Sequence, residues 1–354
     1  MAPSGADLRA DLAACRRLLR GGSRSFFLAS LLLPRRVRDP ASALYAFCRL
    51  ADDAVDVGDD AQAVGRMRER LALAYAGRPL PIPADRALAA MVAASAMPRA
   101  LPEAMLEGFS WDAEGRAYEE LSDVLAYAAR VAGAVGAMMA VLMGARSAEQ
   151  VARACDLGVA MQLSNIARDV GEDARAGRLY LPQRWLREAG IDPAAWLARP
   201  VHDAALGGVV RRLLAHADLL YARAQPGVAR LPLACRPGIG AAGLLYAEIG
   251  RQVERQGFDS VGRRAVAPAR RKLWLLLRAL APGQALAGAE GVVLAEARYL
   301  VEAAALRQAP AEAATPRPLR AEPAGQVAWV LALFERLERR QREGARDVGI
   351  TSAL

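Results

Sequence analysis

The stretch LGVAMQLSNIARDVGED, residues 157–173, decides the fold. Its polar residues Gln162, Asn165, Asp169 and Asp173 are spaced by three or four positions, so they share one face of a helix. The remaining positions are mostly apolar, and a helix that is apolar around most of its circumference is largely buried. The stretch therefore predicts a buried helix whose polar face turns inward or lines a cavity.

A second helix with the same pattern precedes it in YAFCRLADDAVD. Its polar stripe consists of Tyr45, Arg49, Asp52 and Asp56. Asp53 belongs to the same string, but its helical angle directs it away from the stripe. Unpaired buried carboxylates cost several kcal/mol each, so they must take up protons, form ion pairs or bind cations. Two inward acidic faces predict a bound cation.

The types of residue available indicate which cation this is. The chain has only two histidines, His202 and His216, and neither lies near a motif, which disfavours zinc and a di-iron site. Oxygen ligands favour Mg²⁺ or Mn²⁺. Arg24, Arg49 and Arg168 stand beside the stripes, and a guanidinium group matches phosphate oxygens. Acids, arginines and a divalent cation together predict binding of a diphosphate.

Composition places the chain of 354 residues among globular proteins. Hydrophobic residues make up 54% and charged residues 24%, which excludes disorder of the whole chain. The formal charge is +9, but Lys272 is the single lysine. The arginine excess is therefore interpreted as the bias of a GC-rich genome, and no nucleic-acid partner is expected.

The sequence also carries expectations about location. Its four cysteines lie far apart, which disfavours a disulfide scaffold and suits a reducing compartment. The first 21 residues mix acids with arginines and contain no long apolar run, unlike a signal peptide. The longest uncharged apolar run, residues 131–145, is shorter than the about 20 residues that span a bilayer. We expect a cytoplasmic protein, with any membrane contact peripheral and at the inner face.

Helical spacing dominates nearly everywhere, which predicts an all-α protein. Helices are predicted over 8–19, 40–57, 61–76, 84–96, 102–108, 121–144, 148–174, 202–231, 239–256, 268–279 and 288–305. Because the breaks between them are short, residues 1–307 are predicted to form one bundle domain.

The composition changes after this domain. Residues 308–325 contain four prolines and are interpreted as a semi-rigid linker. Residues 326–354 contain an amphipathic helix. Two interpretations stay open for it: the helix docks on the bundle, or it contacts a membrane surface or a partner such as another enzyme of the same pathway.

The run VAGAVGAMMAVLMGA, residues 131–145, also has two interpretations. Its small residues could leave room for the apolar tails of a ligand in a dry cavity. They could equally allow close packing between helices.

Three strings, SRSFFLASLLLP, YAFCRLADDAVD and QLSNIARDVGEDARAGRLYLP, closely resemble the squalene/phytoene synthase family. The resemblance covers roughly residues 15–280. It implies an isoprenoid-synthase helical bundle around a deep apolar cavity, with both aspartate motifs at the mouth of that cavity.

The resemblance also implies roles for individual residues. Metal ligands are expected at Asp52, Asp56, Asn165, Asp169 and Asp173, and the four aspartates are expected to be essential for catalysis. Diphosphate contacts are expected at Ser23, Arg24, Ser25, Tyr45, Arg49, Gln162 and Arg168. Cavity tyrosines that steady cations or transfer protons are expected at Tyr127, Tyr180 and Tyr246.

Within the family, the sequence is most similar to bacterial enzymes of carotenoid biosynthesis. These are Mg²⁺-dependent prenyltransferases that join two geranylgeranyl diphosphates through prephytoene diphosphate to phytoene. Use of C15 farnesyl chains, giving presqualene diphosphate, squalene or dehydrosqualene, remains an alternative. A non-catalytic assembly factor is a more remote alternative, because such a protein should have lost motif carboxylates. The chain shows no Gly-rich dinucleotide motif, so no NADPH is expected.

Overall fold

The computed structural model describes residues 5–56, 62–280 and 292–305, and every regular element within these ranges is a helix. The α-helices are α1 (Gly5–Gly22), α2 (Arg24–Ser30), α3 (Arg35–Asp56), α4 (Ala63–Tyr75), α5 (Pro83–Ser95), α6 (Ala100–Ala113), α7 (Leu121–Ala128), α8 (Ala134–Leu142), α9 (Ala148–Arg175), α10 (Gln183–Glu188), α11 (Pro193–Ala198), α12 (Ala204–Ala229), α13 (Arg236–Arg255), α14 (Ala269–Leu280) and α15 (Arg298–Ala305). A π-helical turn (Ala129–Gly133) joins α7 to α8, and a 3₁₀ turn (Ala295–Ala297) precedes α15. The prediction of an all-α protein is confirmed.

Helix α9 is the centre of the bundle, and it packs against α8, α12 and α13. Most of its residues are buried, as the apolar pattern predicts. Its ends are also encoded locally, because the Ser147 side chain caps its start by accepting a hydrogen bond from the Gln150 amide.

Several predicted boundaries were wrong. Helix α3 begins at Arg35 rather than at Pro40, because the Pro34 carbonyl already accepts the amide of Val37 and closes a first turn. The last predicted helix, 288–305, is not helical over 292–294 and begins with the 3₁₀ turn at Ala295. The predicted helix 121–144 contains the π-helical turn, which a hydrophobic pattern does not reveal.

Three short helices, α2, α10 and α11, were not predicted. Helices of six or seven residues have too few positions for a periodic pattern, so caps and packing determine them. In α2, Ser23 Oγ accepts the Phe26 amide at 3.2 Å. In α11, Asp192 Oδ1 accepts the Ala195 amide at 2.7 Å.

Glycines let the π-helical turn and α8 approach α9 backbone to backbone. A Cβ atom on Gly158 would overlap the carbonyl oxygen of Ala132, and a Cβ on Gly136 would overlap that of Ala154. Gly108 of α6 packs in the same way against the π-helical turn, at 2.5 Å from Val131 Cγ1 to the added Cβ. For this face of the 131–145 run, the close-packing interpretation is confirmed.

Among the described residues, one continuous stretch, Leu121–Leu142, is long and apolar enough to cross a membrane by length and composition. The share of its most apolar window that is buried inside the protein is 56%. Core helices of soluble proteins share these properties, so the stretch is weak support for a span. The predicted linker at 308–325 and terminal helix at 326–354 lie outside the described residues.

The close approach of the π-helical turn to α9 predicts that a Gly→Ala substitution has different effects at two helical glycines. Gly158→Ala should lower the free energy of unfolding by about 1–3 kcal/mol, because the new methyl group meets a backbone carbonyl. Gly208→Ala on α12, where nothing lies within 4 Å of the added Cβ, should be neutral or stabilise by up to about 1 kcal/mol. Urea unfolding of both variants measures the difference, and equal effects would contradict the packing argument.

Candidate active site

The two polar stripes lie on half-buried faces of otherwise buried helices. On α9, Gln162, Asn165, Asp169 and Asp173 are half-buried, whereas most residues between them are buried. On α3, Tyr45, Arg49 and Asp52 are half-buried beside the buried residues Phe47 and Ala51. Both stripes are thus partly buried, and the region that they border is called the cleft below.

Asp169 is held by two arginines from different elements. Its Oδ1 accepts Arg168 Nε at 2.7 Å and Arg264 Nε at 2.9 Å, and the Asp169 side chain is only 15% exposed. Burial disfavours ionisation of Asp169, but Arg168 and Arg264 together hold its pKa below the usual value. Asp169 is thus a carboxylate whose charge is already balanced by guanidinium groups.

Arg264 was not singled out from the sequence as a site residue, and a loop contact brings it there. The amide of Gly171 on α9 donates to the Ser260 carbonyl at 2.9 Å, which fixes the loop after α13 against α9. A Cβ on Gly171 would lie 2.6 Å from Val261 Cα, so only glycine permits this approach. Arg264 also pairs with Glu172 at 3.1 Å. This long-range contact has no signal in local sequence spacing.

Asp173 and Asn165 differ from Asp169 in their surroundings. Burial, followed by the charge of Asp169, raises the pKa of Asp173 to about 7. The Oδ1 atom of Asn165 is buried without a hydrogen-bond partner. The two residues lie on the same stripe as Asp169, so these oxygens are donors of the kind that a hard divalent cation binds.

In residues 5–56, 62–280 and 292–305, no three acidic, cysteine or histidine side chains already cluster closely enough to hold a metal ion. The oxygen donors of α9 nevertheless fit Mg²⁺ or Mn²⁺ in chemical type, since they combine carboxylates with a buried, unsatisfied amide oxygen. The assignment of these residues as metal ligands stays a prediction.

The stripe on α3 carries its own ion pairs. Arg49 contacts Asp52 Oδ2 at 3.3 Å and Asp53 Oδ1 at 2.6 Å. Asp53, expected to point away from the stripe, therefore shares an arginine with it. The side chains of Asp56 and Arg24 lie outside the described residues.

A third group of predicted residues surrounds the start of α2. Ser23 caps this helix, and Ser25 lies half-buried in its first turn. The Phe26 ring is centred 5.0 Å from that of Tyr246 and 6.4 Å from that of Tyr45. Burial raises the pKa of Tyr246 to about 12, so its phenol stays protonated.

This group joins the α9 stripe through electrostatics. The pKa of the Tyr246 phenol is influenced, after burial, by the positive charge of Arg168 and the negative charge of Asp169. The structure therefore brings Ser23, Tyr45 and Tyr246 to the same end of the cleft as Asp169.

Asp112, an acid that was not predicted from the sequence, holds two of the predicted tyrosines. The Tyr127 hydroxyl donates to Asp112 Oδ2 at 2.9 Å, and the Tyr180 hydroxyl donates to Oδ1 at 2.7 Å. Burial raises the pKa of Asp112 to about 6, although both phenols and Arg178 favour its ionised form. A cavity of about 260 Å³ borders this cluster.

One local signal could have found Asp112. It lies in the last turn of α6, where the helix dipole disfavours negative charge. An acid at that position has a local cost and calls for an explanation from tertiary structure. No comparable signal marks Arg178, which lies in the turn after α9 and whose charge acts on both Asp112 and Asp173.

Comparison with known proteins identifies the family of this chain. The family model for squalene/phytoene synthases matches residues 19–272. A phytoene synthase from Rhodobacter capsulatus is 60% identical over 271 residues, which are 75% of this chain and 80% of that protein. A phytoene synthase from Cereibacter sphaeroides is 56% identical over 313 residues, 84% of this chain and 88% of that protein.

Solved structures agree with the sequence comparison. A dehydrosqualene synthase crystallised in complex with a ligand superposes with a TM-score of 0.71 at 30% identity, over 77% of this chain and 96% of that chain. Squalene synthase HpnC from Alicyclobacillus acidocaldarius superposes with a TM-score of 0.65 at 27% identity, over 72% of this chain and 96% of that chain. The bundle is therefore an isoprenoid-synthase fold, and the chain belongs to the squalene/phytoene synthase family.

Proposed function

We propose that this chain joins two molecules of geranylgeranyl diphosphate head to head, through prephytoene diphosphate, to make phytoene for carotenoid biosynthesis. The observation that carries the proposal is that acids, arginines and buried phenols from α3, α6, α9 and the loop after α13 interact with one another. The high identity to curated phytoene synthases supports C20 chains as the substrate.

The arginines supply the diphosphate contacts. Arg49, Arg168 and Arg264 come from α3, α9 and the loop after α13, and each already binds a carboxylate of the cleft. A guanidinium group can exchange a carboxylate for phosphate oxygens of the same charge and similar spacing. Gln162, Ser23 and Tyr45 are positioned to add neutral hydrogen bonds.

Asp52, Asp56, Asn165, Asp169 and Asp173 would hold Mg²⁺ or Mn²⁺. When bound, such a cation neutralises negative charge on the departing diphosphate. Without a bound cation, the acids of the cleft would repel a diphosphate. Diphosphate binding by the arginines alone would therefore not explain why these acids are buried.

The reaction itself proceeds through carbocations. In the first half, the C–O bond of one substrate breaks, the double bond of the second attacks that carbon, and loss of a proton closes the cyclopropane ring. In the second half, the C–O bond of prephytoene diphosphate breaks, the carbon skeleton rearranges, and loss of a proton gives phytoene. Such cations react with water, so buried walls without strong nucleophiles are required. The buried, protonated tyrosines meet that requirement.

The substrates also suggest a location. The product is a C40 hydrocarbon and the substrate carries a C20 tail, so both favour an apolar phase over water. We therefore propose a cytoplasmic enzyme in peripheral contact with the inner face of the membrane, without NADPH as a cofactor.

The chain-length assignment predicts the outcome of a product analysis. Incubation of the purified chain with geranylgeranyl diphosphate and Mg²⁺, without NADPH, should give a C40 hydrocarbon by mass spectrometry. Farnesyl diphosphate under the same conditions serves as the competing substrate, because the similar solved structures include C30 synthases. Products of C30 alone would overturn the C20 assignment.

The charge-bearing stripes predict a strong effect of isosteric substitutions. Asp52→Asn and Asp169→Asn should each lower turnover about 100-fold or more, because each removes the negative charge of a carboxylate that would hold the divalent cation. Asp218→Asn, in an exposed ion pair between α12 and Arg251 of α13, should leave turnover within about two-fold of the wild type. Circular dichroism should show unchanged helicity, and retained activity in both cleft variants would contradict their assigned roles.

Removal of the metal tests the proposed metal ligands independently of whether the substrate is C20 or C15. EDTA should abolish product formation, and added Mg²⁺ or Mn²⁺ should restore it, because oxygen donors prefer such ions. Isothermal titration of Mg²⁺ with a non-hydrolysable diphosphate analogue should show metal-dependent binding in the wild type and weaker binding in Asp173→Asn. Full turnover in EDTA would exclude a metal requirement.

A further inference from the structure

Three tyrosine rings surround the carboxylate of Asp112, and only two of their hydroxyls bind it. Tyr127 lies on α7, Tyr180 follows α9, and Asp112 ends α6, so the cluster ties three separate segments together. The rings of Tyr127 and Tyr180 are stacked, with centroids 5.0 Å apart and planes inclined by 24°. The third ring, that of Tyr118, packs against both, but its hydroxyl is buried without a hydrogen-bond partner.

The position of Asp112 is electrostatically unfavourable. The negative charge of Asp52 opposes ionisation of Asp112, and that of Asp112 opposes ionisation of Asp173. Asp112 thus lies among the acids of the two stripes, where a further acid adds repulsion and a neutral amide would not. Packing alone gives no reason for a carboxylate here.

Hydrogen bonding to a carboxylate makes the two phenols more electron-rich than hydrogen bonding to an amide would. Asp112 accepts from both, so each phenol directs its proton at the acid. A hydrogen bond to an anion also increases the electron density of the donor. Aromatic faces attract cations, and more so when electron-rich.

The surrounding backbone holds this arrangement in place. The π-helical turn Ala129–Gly133 begins two residues after Tyr127, and such turns concentrate at functional sites. Gly108, one turn before Asp112 on α6, packs against that π-helical turn. Arg130 of the turn donates to Glu107 of α6 at 3.0 Å, a second link between the two elements.

We propose that Asp112 is a positioning residue that fixes Tyr127 and Tyr180 as a pair of electron-rich phenols facing the carbocations, and that it acts mainly in the second half-reaction. This inference rests on the proposed function. In the first half, attack by the second substrate moves the positive charge onto that substrate, and loss of one proton then removes it. In the second half, successive cations persist until a proton is lost, so stabilisation by the phenols affects the outcome more.

The proposal is tested by measuring how much prephytoene diphosphate accumulates during the reaction. Single-turnover reactions of the full chain with geranylgeranyl diphosphate and Mg²⁺ are quenched over time, and prephytoene diphosphate and phytoene are quantified by mass spectrometry. Asp112→Asn should slow phytoene formation about 10- to 100-fold while substrate consumption falls less, so that prephytoene diphosphate accumulates. Prephytoene diphosphate supplied directly should be converted with the same defect.

Tyr118→Phe is the matched control, because it removes a hydroxyl from the same ring cluster that does not bind Asp112. Its rates and its product ratio should stay within about two-fold of the wild type. In a Tyr127→Phe/Tyr180→Phe background, adding Asp112→Asn should have little further effect, because its role depends on the two hydroxyls.

Wild-type product ratios in folded Asp112→Asn would overturn the proposal, as would equal slowing of both halves. Thermal unfolding establishes whether each variant is folded. If Asp112→Asn does not fold, the Tyr127→Phe/Tyr180→Phe variant decides: accumulation of the intermediate supports the proposal, and a wild-type ratio overturns it. A wild-type chain that makes no C40 product from geranylgeranyl diphosphate would instead contradict the proposed function.

Discussion

The structure depends on the cost of placing several carboxylates close together in a partly buried cleft. Asp52 on α3, Asp112 on α6, and Asp169 and Asp173 on α9 come from three helices. Burial raises the pKa of Asp112 and of Asp173, and neighbouring acids raise it further. A fold gains nothing in stability from such a cluster, so a ligand of opposite charge is the simplest reason for it.

The helices that carry these acids are brought together by close backbone contacts at glycines rather than by large apolar side chains. Gly136 brings α8 onto α9, Gly158 brings the π-helical turn onto α9, and Gly108 brings α6 onto the same turn. Because Tyr127 precedes that turn and Asp112 follows Gly108 by one helical turn, the glycine contacts set the distance between phenol and carboxylate. The small residues of the 131–145 run, which could have lined a cavity, therefore act by allowing the close helix contacts that set the geometry of the site.

The sequence was sufficient to predict the long helices and their polar faces, because their residue pattern repeats every three or four positions. The stripes at Asp52 and at Asp169 lie on half-buried faces, because a polar residue every three or four positions has one possible placement on an α-helix. Asp112 and Arg264 were missed because their partners lie 15, 68 and 95 residues away in sequence. The short helices α2, α10 and α11 were missed for a related reason, since caps and tertiary contacts determine them.

The two ends of the α9 stripe require different things from a ligand. At Asp169, two arginines already neutralise the carboxylate, and displacing them frees positive charge for an anion. At Asp173, burial and the charge of Asp169 raise the pKa of the carboxyl group, and an added cation would favour its ionised form. One helical turn separates these residues, so the favoured ligand carries negative and positive charge side by side. A diphosphate bound to divalent metal has that distribution, whereas a free anion or a free cation would satisfy only one end of the stripe.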